Sequence, residues 1–454
     1  MLTLSGNLTS LASSQTATIT SGSEDGSLSF GNATRVISVA DGAAASDLTL
    51  SAQLVEGGFT KTGTGTLTLA PSAGNDNSYT GTTTISQGIV NIQSNSALGS
   101  ADNLAGSGTT VNAGAQLQVQ GNIAVGAERL VLNGTGVSGT GALRNLSGTN
   151  SWAGSVVVNS HARVQNDAGT LTFNGTITGG GTTLTVAGAG QTNITNTTTL
   201  NSVVKEGSGT LTVSGTQNYV TASINGGNYV VGASNILNDG MTATIASGAT
   251  MKVNGQTDTI AAIAGAGTLE IASGGHLTVG AGNTAVTFSG HLTGDGTGTF
   301  EKIGTGTLTF NASFDFDGDI TFAGGTLQLA NVTIGANTLH ITGDSIIDFG
   351  GSSILSVEHL IIDAGVNISI INWADTVDYA SNWAGATYDT RFNTPTTQVV
   401  FDGDSPAWTG DNTIWQSYDN QITPVPEPRT YGLLFMGLSL GALALRRRNR
   451  SPTA

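Results

Sequence analysis

Short triplets with an apolar residue at each end and a polar residue between them recur along most of this chain. This alternation is typical of a β-strand that buries one face. Clusters of Gly, Asn, Asp and Ser separate the triplets and supply turns. Helix signals are nearly absent before residue 425, so the pattern predicts an all-β body. Examples are Leu67-Thr68-Leu69, Leu117-Gln118-Val119, Leu171-Thr172-Phe173, Leu211-Thr212-Val213 and Leu308-Thr309-Phe310.

The triplet Gly-Thr-Leu repeats at intervals near multiples of about 20 residues, a period that indicates a solenoid. We therefore predict an all-β fold, a right-handed parallel β-helix in which Leu, Val, Ile and Phe stack inward and Thr, Asn and Ser face solvent. Some twenty coils at about 4.8 Å each would make a rod of about 100 Å. The triplets begin at Gly65, Gly169, Gly209, Gly267, Gly306 and Gly325.

Composition narrows the function classes. Of the 454 residues, 66 are Gly, only 10% are charged and the formal net charge is −16. An acidic chain without clustered Lys and Arg has no footprint for nucleic acid. The chain contains no Cys, which excludes disulfides, thiolate metal ligands and Cys nucleophiles.

Three segments share a longer motif. Residues 58–69 read Gly-Phe-Thr-Lys-Thr-Gly-Thr-Gly-Thr-Leu-Thr-Leu, and 204–211 and 301–308 are partial copies. The motif resembles the autotransporter-associated β-strand repeat of bacterial surface proteins, which implies a β-helical passenger. We place the repeats at 57–99, 201–237 and 298–330, within a β-helical domain 1–330. One Lys stands in the same slot of each copy, at Lys61, Lys205 and Lys302, which indicates a structural role for it.

The C-terminal thirty residues differ from the body. A Pro-rich break, an apolar run and a basic cluster follow one another. The prolines end regular structure, the apolar run 431–445 predicts a single transmembrane helix, and the arginines favour the cytoplasmic side. The break is Val425-Pro426-Glu427-Pro428, and the cluster is Arg446, Arg447, Arg448 and Arg450.

This tail resembles the PEP-CTERM sorting signal of Gram-negative bacteria. Pro426-Glu427-Pro428, Tyr431-Gly432-Leu433-Leu434, Gly437-Leu438 and the arginines carry the resemblance. It implies that an exosortase-like membrane protease cuts near Pro-Glu-Pro in segment 425–454. The run of 15 residues is about 22 Å long as a helix, shorter than a hydrocarbon core of about 30 Å. A permanent anchor and a buried core helix remain alternatives.

From about residue 331 the composition changes, because Ile and Asp become more frequent and an aromatic-rich stretch follows. We read 331–418 as terminal coils with an aromatic-rich cap, and 419–424 as a linker. The tryptophans of this region either plug the end of the solenoid or stack on sugar rings. These candidate carbohydrate-stacking aromatics are Trp373, Trp383, Trp408 and Trp415.

The first twenty residues have no basic residue and no apolar core of a signal peptide. The sorting-signal family normally carries such a peptide. We therefore expect either a misplaced start or an upstream segment.

The sequence contains no motif that groups catalytic or metal-binding residues. Basic and His residues are dispersed, no metal-ligand spacing occurs, and we expect no catalytic residue, metal or cofactor. Asp315-Phe316-Asp317-Gly318-Asp319 could gather calcium ligands, but Ile320 and Thr326 break the EF-hand pattern, which favours a turn between coils. Stacked coils can still unite distant residues, so a β-helix polysaccharide lyase or glycoside hydrolase is the alternative.

The sequence thus predicts an exported, non-enzymatic surface or extracellular-matrix protein with a structural or adhesive role. Its expected location is the cell envelope, first as an inner-membrane precursor held by 431–445 and then at the surface or secreted. Its expected partners are an exosortase-like protease and either extracellular polysaccharide or other surface proteins.

Overall fold

The computed structural model describes residues 1–21, 26–71 and 74–372, together with the backbone of four later strands that end at residue 424. Strands dominate this part of the chain. The single helical element within it is a 3₁₀ turn, Val137–Gly139. The all-β prediction is confirmed for the described residues.

Successive turns of the chain stack as parallel strands and form a β-solenoid of about 16 coils. One ladder runs from Ile37 through Lys61 and Ile85 to Val111 and Leu132, and every step in it is parallel and in register. Each coil has up to three strands, so the body is a prism with three faces. The predicted right hand of the coil stays a prediction.

The first face is built from strands that precede the second face in each coil. They are Leu8–Ser10, Thr34–Val39, Gly58–Thr62, Thr83–Ile85, Thr109–Val111, Leu130–Gly134, the start of Val156–Asn166, Ile177–Thr178, Thr198–Thr199, Gln217–Asn218, Thr257–Ile260, His276–Val279, Gly298–Lys302, and the ends of Phe314–Phe322, Thr333–Ile341 and Ile354–Ile362.

The second face follows after one corner. Its strands are Ala17–Ile19, Leu48–Leu50, Thr66–Leu69, Gly88–Ile92, Ala115–Val119, Leu143–Asn145, the end of Val156–Asn166, Thr183–Gly188, Ser202–Lys205, Thr221–Ile224, Thr242–Ile245, Ala262–Gly265, Val286–Phe288, Thr307–Phe310, Gly325–Ala330, Ser345–Gly350, Ile368–Ile371 and Val399–Asp402.

The third face closes each coil. Its strands are Leu2–Thr3, Ser27–Ser29, Gln53–Val55, Ala124–Val125, Thr149–Trp152, Thr170–Phe173, Gln191–Ile194, Thr210–Val213, Gly227–Val231, Ala249–Lys252, Thr268–Glu270, His291–Thr293, the starts of Phe314–Phe322, Thr333–Ile341 and Ile354–Ile362, and Tyr379–Asn382.

One continuous apolar core fills the prism. Alternate residues of each strand point inward, as the triplet pattern predicts, and Leu, Val, Ile and Phe stack from coil to coil. Near the N-terminal end, Phe30, Phe59 and Tyr79 form an aromatic triad with ring centroids 5.8–5.9 Å apart. Each coil therefore buries its apolar side against the other faces of the same coil and against the neighbouring coils, as in other repeat architectures.

The coils are fewer than the twenty expected, because early coils are longer than 20 residues. Ile37 and Lys61 are register partners 24 residues apart, whereas Lys205 and Ile224 are 19 apart. Sixteen coils at about 4.8 Å each correspond to a body of about 75 Å.

Several strands run through a corner without a break. In Phe314–Phe322 the register shifts between Phe316 and Asp319, where the strand passes from the third face to the first. The aspartates of this segment therefore lie on a strand, and the turn predicted for them is wrong. Phe314 and Phe316 alternate with them and occupy the core, so packing keeps the segment extended.

The C-terminal strands change direction. Gln421–Pro424, within the segment read as a linker, pairs antiparallel with Thr413–Gln416. Within the described residues no helix has the length and apolar character to cross a bilayer. The predicted membrane helix 431–445 lies outside those residues.

Candidate functional surface

Three buried lysines hold the corners of the solenoid. The Lys61 ammonium donates hydrogen bonds to the carbonyl oxygens of Thr62 at 3.0 Å and Gly63 at 2.8 Å, and to that of Gln87 in the next coil at 3.1 Å. Its three N–H groups thus meet three acceptors, which satisfies a cation with no solvent exposure. We call this arrangement a lysine clamp.

The other two copies of the motif reproduce the clamp. Lys205 donates to the carbonyls of Glu206, Gly207 and Gly226 at 2.7, 3.0 and 3.1 Å. Lys302 donates to those of Ile303, Gly304 and Gly324 at 2.7, 3.1 and 3.3 Å. In each copy the third acceptor belongs to the following coil. The structural role predicted for these lysines agrees with this geometry.

Burial lowers the pKa of these lysines. The pKa falls to about 8 for Lys61 and for Lys205, while the nearby carboxylates of Asp47 and Glu206, respectively, oppose the shift. Burial also lowers the pKa of Lys302. Near pH 7 the amines of Lys61 and Lys205 are therefore mostly charged and keep the three hydrogens that the clamp uses.

Glycines explain the rest of the repeated motif. Gly207 has a φ of +70°, a conformation that residues with a Cβ rarely adopt. A Cβ on Gly209 would lie 2.2 Å from the carbonyl oxygen of Gly190 in the preceding coil. Lys-x-Gly-x-Gly is therefore the signature of a clamped corner where neighbouring backbones approach closely.

The outward side of the third face carries two straight columns of side chains over eight coils. Parallel register places each residue directly on its counterpart in the next coil. We call these sixteen positions the threonine face. The columns are Thr149, Thr170, Gln191, Thr210, Asn228, Thr250, Thr268, His291 and Ser151, Thr172, Asn193, Thr212, Val230, Lys252, Glu270, Thr293.

Hydroxyl and amide groups dominate the threonine face, and eight of its sixteen residues are Thr. When its one His is neutral, the threonine face carries two charged residues, Lys252 and Glu270. They form an ion pair at 2.7 Å. Asn193 donates to the Thr172 hydroxyl at 3.3 Å across one coil step. The surface is polar, partly solvent-exposed and electrically balanced.

Two carboxyl groups lie inside the coils. Thr109 donates to the Glu128 carboxyl at 2.7 Å, and burial raises the pKa of Glu128 to about 8. Burial also raises the pKa of Asp258, although backbone N–H groups of Ile236 and Leu237 donate to it and oppose the shift. Each of these two acids is about 1% exposed, so neither reaches a polymer on the surface.

Two surface carboxylates have pKa values below their ordinary range. Burial alone would raise the pKa of Glu270, but hydrogen bonds from Lys252 and Asn254 lower it overall. Hydrogen bonds from Thr297 and from the Ser273 backbone lower the pKa of Asp295. In the part of the chain that the structure describes, no three His, Asp or Glu residues group as metal ligands.

A shallow groove crosses the second face near its C-terminal coils, with a volume of about 540 Å³. Ile346 is an exposed residue of its lining, and Asp344 accepts a hydrogen bond of 2.8 Å from the Asn367 backbone. Asp344 is the single carboxylate among the lining residues, and no Lys, Arg or His lines the groove.

The residues singled out from the sequence for the tail and the cap are not tested by this geometry. The backbone of Trp415 lies in strand Thr413–Gln416. The remaining members of both sets lie outside the described residues: Trp373, Trp383, Trp408, Val425, Pro426, Glu427, Pro428, Arg446, Arg447, Arg448 and Arg450.

Sequence reasoning missed the threonine face. The outward Thr positions are visible in triplets such as Leu171-Thr172-Phe173, but the alternation does not tell which triplets share a face. The signal was the spacing of Gly169, Gly209 and Gly267, which all precede strands of the third face.

Comparison with known families gives one match. The family model described as passenger-associated-transport-repeat matches residues 59–92, 203–227 and 300–329. No curated protein matches the chain, and no solved structure matches it. Each matched segment contains one lysine clamp, so the match supports the resemblance to autotransporter-associated repeats.

The fold and the repeats together indicate a class of protein. The chain is a parallel β-solenoid with passenger-associated repeats, and both features fit a secreted or cell-surface passenger protein.

Proposed function

We propose that this protein is a non-enzymatic rod of the cell surface or extracellular matrix with a structural or adhesive role. The observation that carries the proposal is the occurrence of three passenger-associated repeats within one continuous parallel solenoid. The clamps and the apolar core give such a rod internal stability without a ligand. Its polar flanks supply long surfaces for contact.

In this proposal, the C-terminal tail determines where the protein is located. Segment 425–454, read as a PEP-CTERM-like sorting signal, inserts its apolar run 431–445 in the inner membrane, and Arg446–Arg450 stay on the cytoplasmic side. An exosortase-like protease then cuts near Pro426-Glu427-Pro428. The released body remains at the surface or is secreted.

The partners follow from the surface chemistry. A flank rich in hydroxyls and amides fits extracellular polysaccharide or other surface proteins. A net charge of −16 argues against nucleic acid.

The polysaccharide-cleaving alternative requires a carboxyl group of raised pKa that the substrate can reach, next to a second carboxylate or a basic group. Among the described carboxyl groups, the two of raised pKa, Glu128 and Asp258, lie inside the coils. On the surface, Glu270 and Asp295 have lowered pKa values and fixed hydrogen-bond donors. This distribution of acids supports the non-enzymatic proposal.

Mass spectrometry of the C-terminus of the protein recovered from the producing cells tests the proposal. We expect a mature form that ends near Pro426–Pro428. Replacement of Pro426, Glu427 and Pro428 by Ala should leave the chain uncut and membrane-bound. Replacement of Ser451, Pro452 and Thr453 by Ala alters the same tail beyond the arginines and should leave cutting unchanged. Normal release of the first variant would refute the sorting role of the motif.

A further inference from the structure

The threonine face presents its outward side chains at a fixed interval, because parallel register stacks each coil directly on the next. Its two columns continue through eight consecutive coils without a register shift. Seven coil steps of about 4.8 Å extend the face over about 34 Å. A surface that repeats at a fixed interval is complementary to a ligand that repeats along its own length.

The chemistry of the face restricts the ligand. Its residues donate and accept hydrogen bonds, and its one Lys and one Glu neutralise each other at 2.7 Å. The rest of the chain is strongly acidic, with a net charge of −16. An anionic polymer would meet a repulsive field without a compensating cationic patch, whereas a neutral one would not.

Two other occupants fit less well. A protein partner with a stable interface uses aromatic, Met or Arg anchors at its centre, and the face has none of these residues. A crystalline solid such as ice would need side chains of uniform height. Gln191, Lys252 and His291 are longer than the Thr residues around them and interrupt such a plane.

We infer that the threonine face is a binding surface for a neutral, linear polysaccharide that lies along the axis of the solenoid. Pyranose rings joined in an extended chain present hydroxyl groups at intervals close to the coil spacing. Each coil contributes a weak contact, and linkage of the contacts along the polymer multiplies the affinity. This inference rests on the proposed function and names the ligand class of the rod.

Co-sedimentation of the full chain with microcrystalline cellulose tests the inference, with carboxylated cellulose as the anionic counterpart. The variant Thr172→Glu/Thr212→Glu adds charge at two half-buried positions of the threonine face, two coils apart. The control Ser223→Glu/Ala264→Glu makes the same change at half-buried outward positions of the second face, also two coils apart. Circular dichroism verifies that both variants fold.

We expect the unmodified chain to bind cellulose and to bind carboxylated cellulose more weakly. The first variant should lose about tenfold in affinity and the control should stay within about twofold. Soluble oligosaccharides that span one or two coils should compete poorly, since they reach few contacts. Two results each overturn the inference: no binding of cellulose, or equal losses of affinity in both variants. Neither of them alters the C-terminal processing result, so the two proposals fail separately.

Discussion

Removal of one lysine clamp should open the solenoid locally. In Lys205→Met the side chain keeps its length and apolar stem but loses its three donors. The carbonyls of Glu206, Gly207 and Gly226 then lose hydrogen bonds of 2.7, 3.0 and 3.1 Å. Each bond to a charged donor is worth about 1.5–3 kcal/mol, and relief from burying the ammonium offsets part of the sum, so we expect a net loss on the order of 3 kcal/mol.

Hydrogen exchange measured by mass spectrometry suits this prediction, because stability in a stacked-coil protein is local and global unfolding need not be two-state. Peptides that cover residues 202–231 should exchange faster in Lys205→Met, whereas peptides from distant coils such as 83–119 should not change. The effect should be confined to the two coils that the clamp joins.

Lys252→Met is the matched control. Lys252 lies on the surface, with its side chain 30% exposed, and pairs with Glu270 at 2.7 Å. An exposed ion pair contributes about 0–1 kcal/mol. If Lys252→Met accelerates exchange around its own coil as much as Lys205→Met does, the burial and the three carbonyls of the clamp are not what stabilises the corner.

Two further perturbations test the interior. The Gly209→Ala variant should lose about 1–3 kcal/mol in free energy of unfolding, because its Cβ would overpack against the Gly190 carbonyl. A Cβ at Gly180 would meet no atom within 4 Å, so Gly180→Ala should stay within about 0.5 kcal/mol of the unmodified chain. Equal unfolding midpoints of the two variants would contradict the close approach. The folded pKa of Glu128, about 8, exceeds its ordinary 4.5, so its contribution is complete below pH 4.5 and is lost as pH rises to 8. Glu128→Gln should therefore flatten the stability–pH curve in that window, and an unchanged slope in urea titrations would count against a buried, protonated Glu128.

The all-β fold was predictable because strand alternation is a local property. Leu211-Thr212-Val213 shows its buried and exposed positions without reference to any other strand, and Leu211 and Val213 are indeed buried. Coil length was less predictable. Loops between strands are longer in the early coils, and no local pattern gives the register that joins Ile37 to Lys61.

The face of the solenoid on which each repeat begins was not predictable either. Lys302 ends a strand of the first face and Lys61 stands one residue before the end of another, whereas Lys205 ends a strand of the second face. The motif therefore specifies a corner and not a whole coil, and it occurs at two of the three corners of the prism. The two columns of the threonine face depend on this placement, so they emerge only from the three-dimensional register.

The lysine clamps also give assembly a direction. The third acceptor of every clamp, Gln87, Gly226 or Gly324, comes later in the chain than the lysine it receives. In a polypeptide that emerges with its N-terminus leading, each latch must wait for about one more turn before it closes. At each of these three corners, the coil that is added next therefore closes the clamp and stabilises the coil before it.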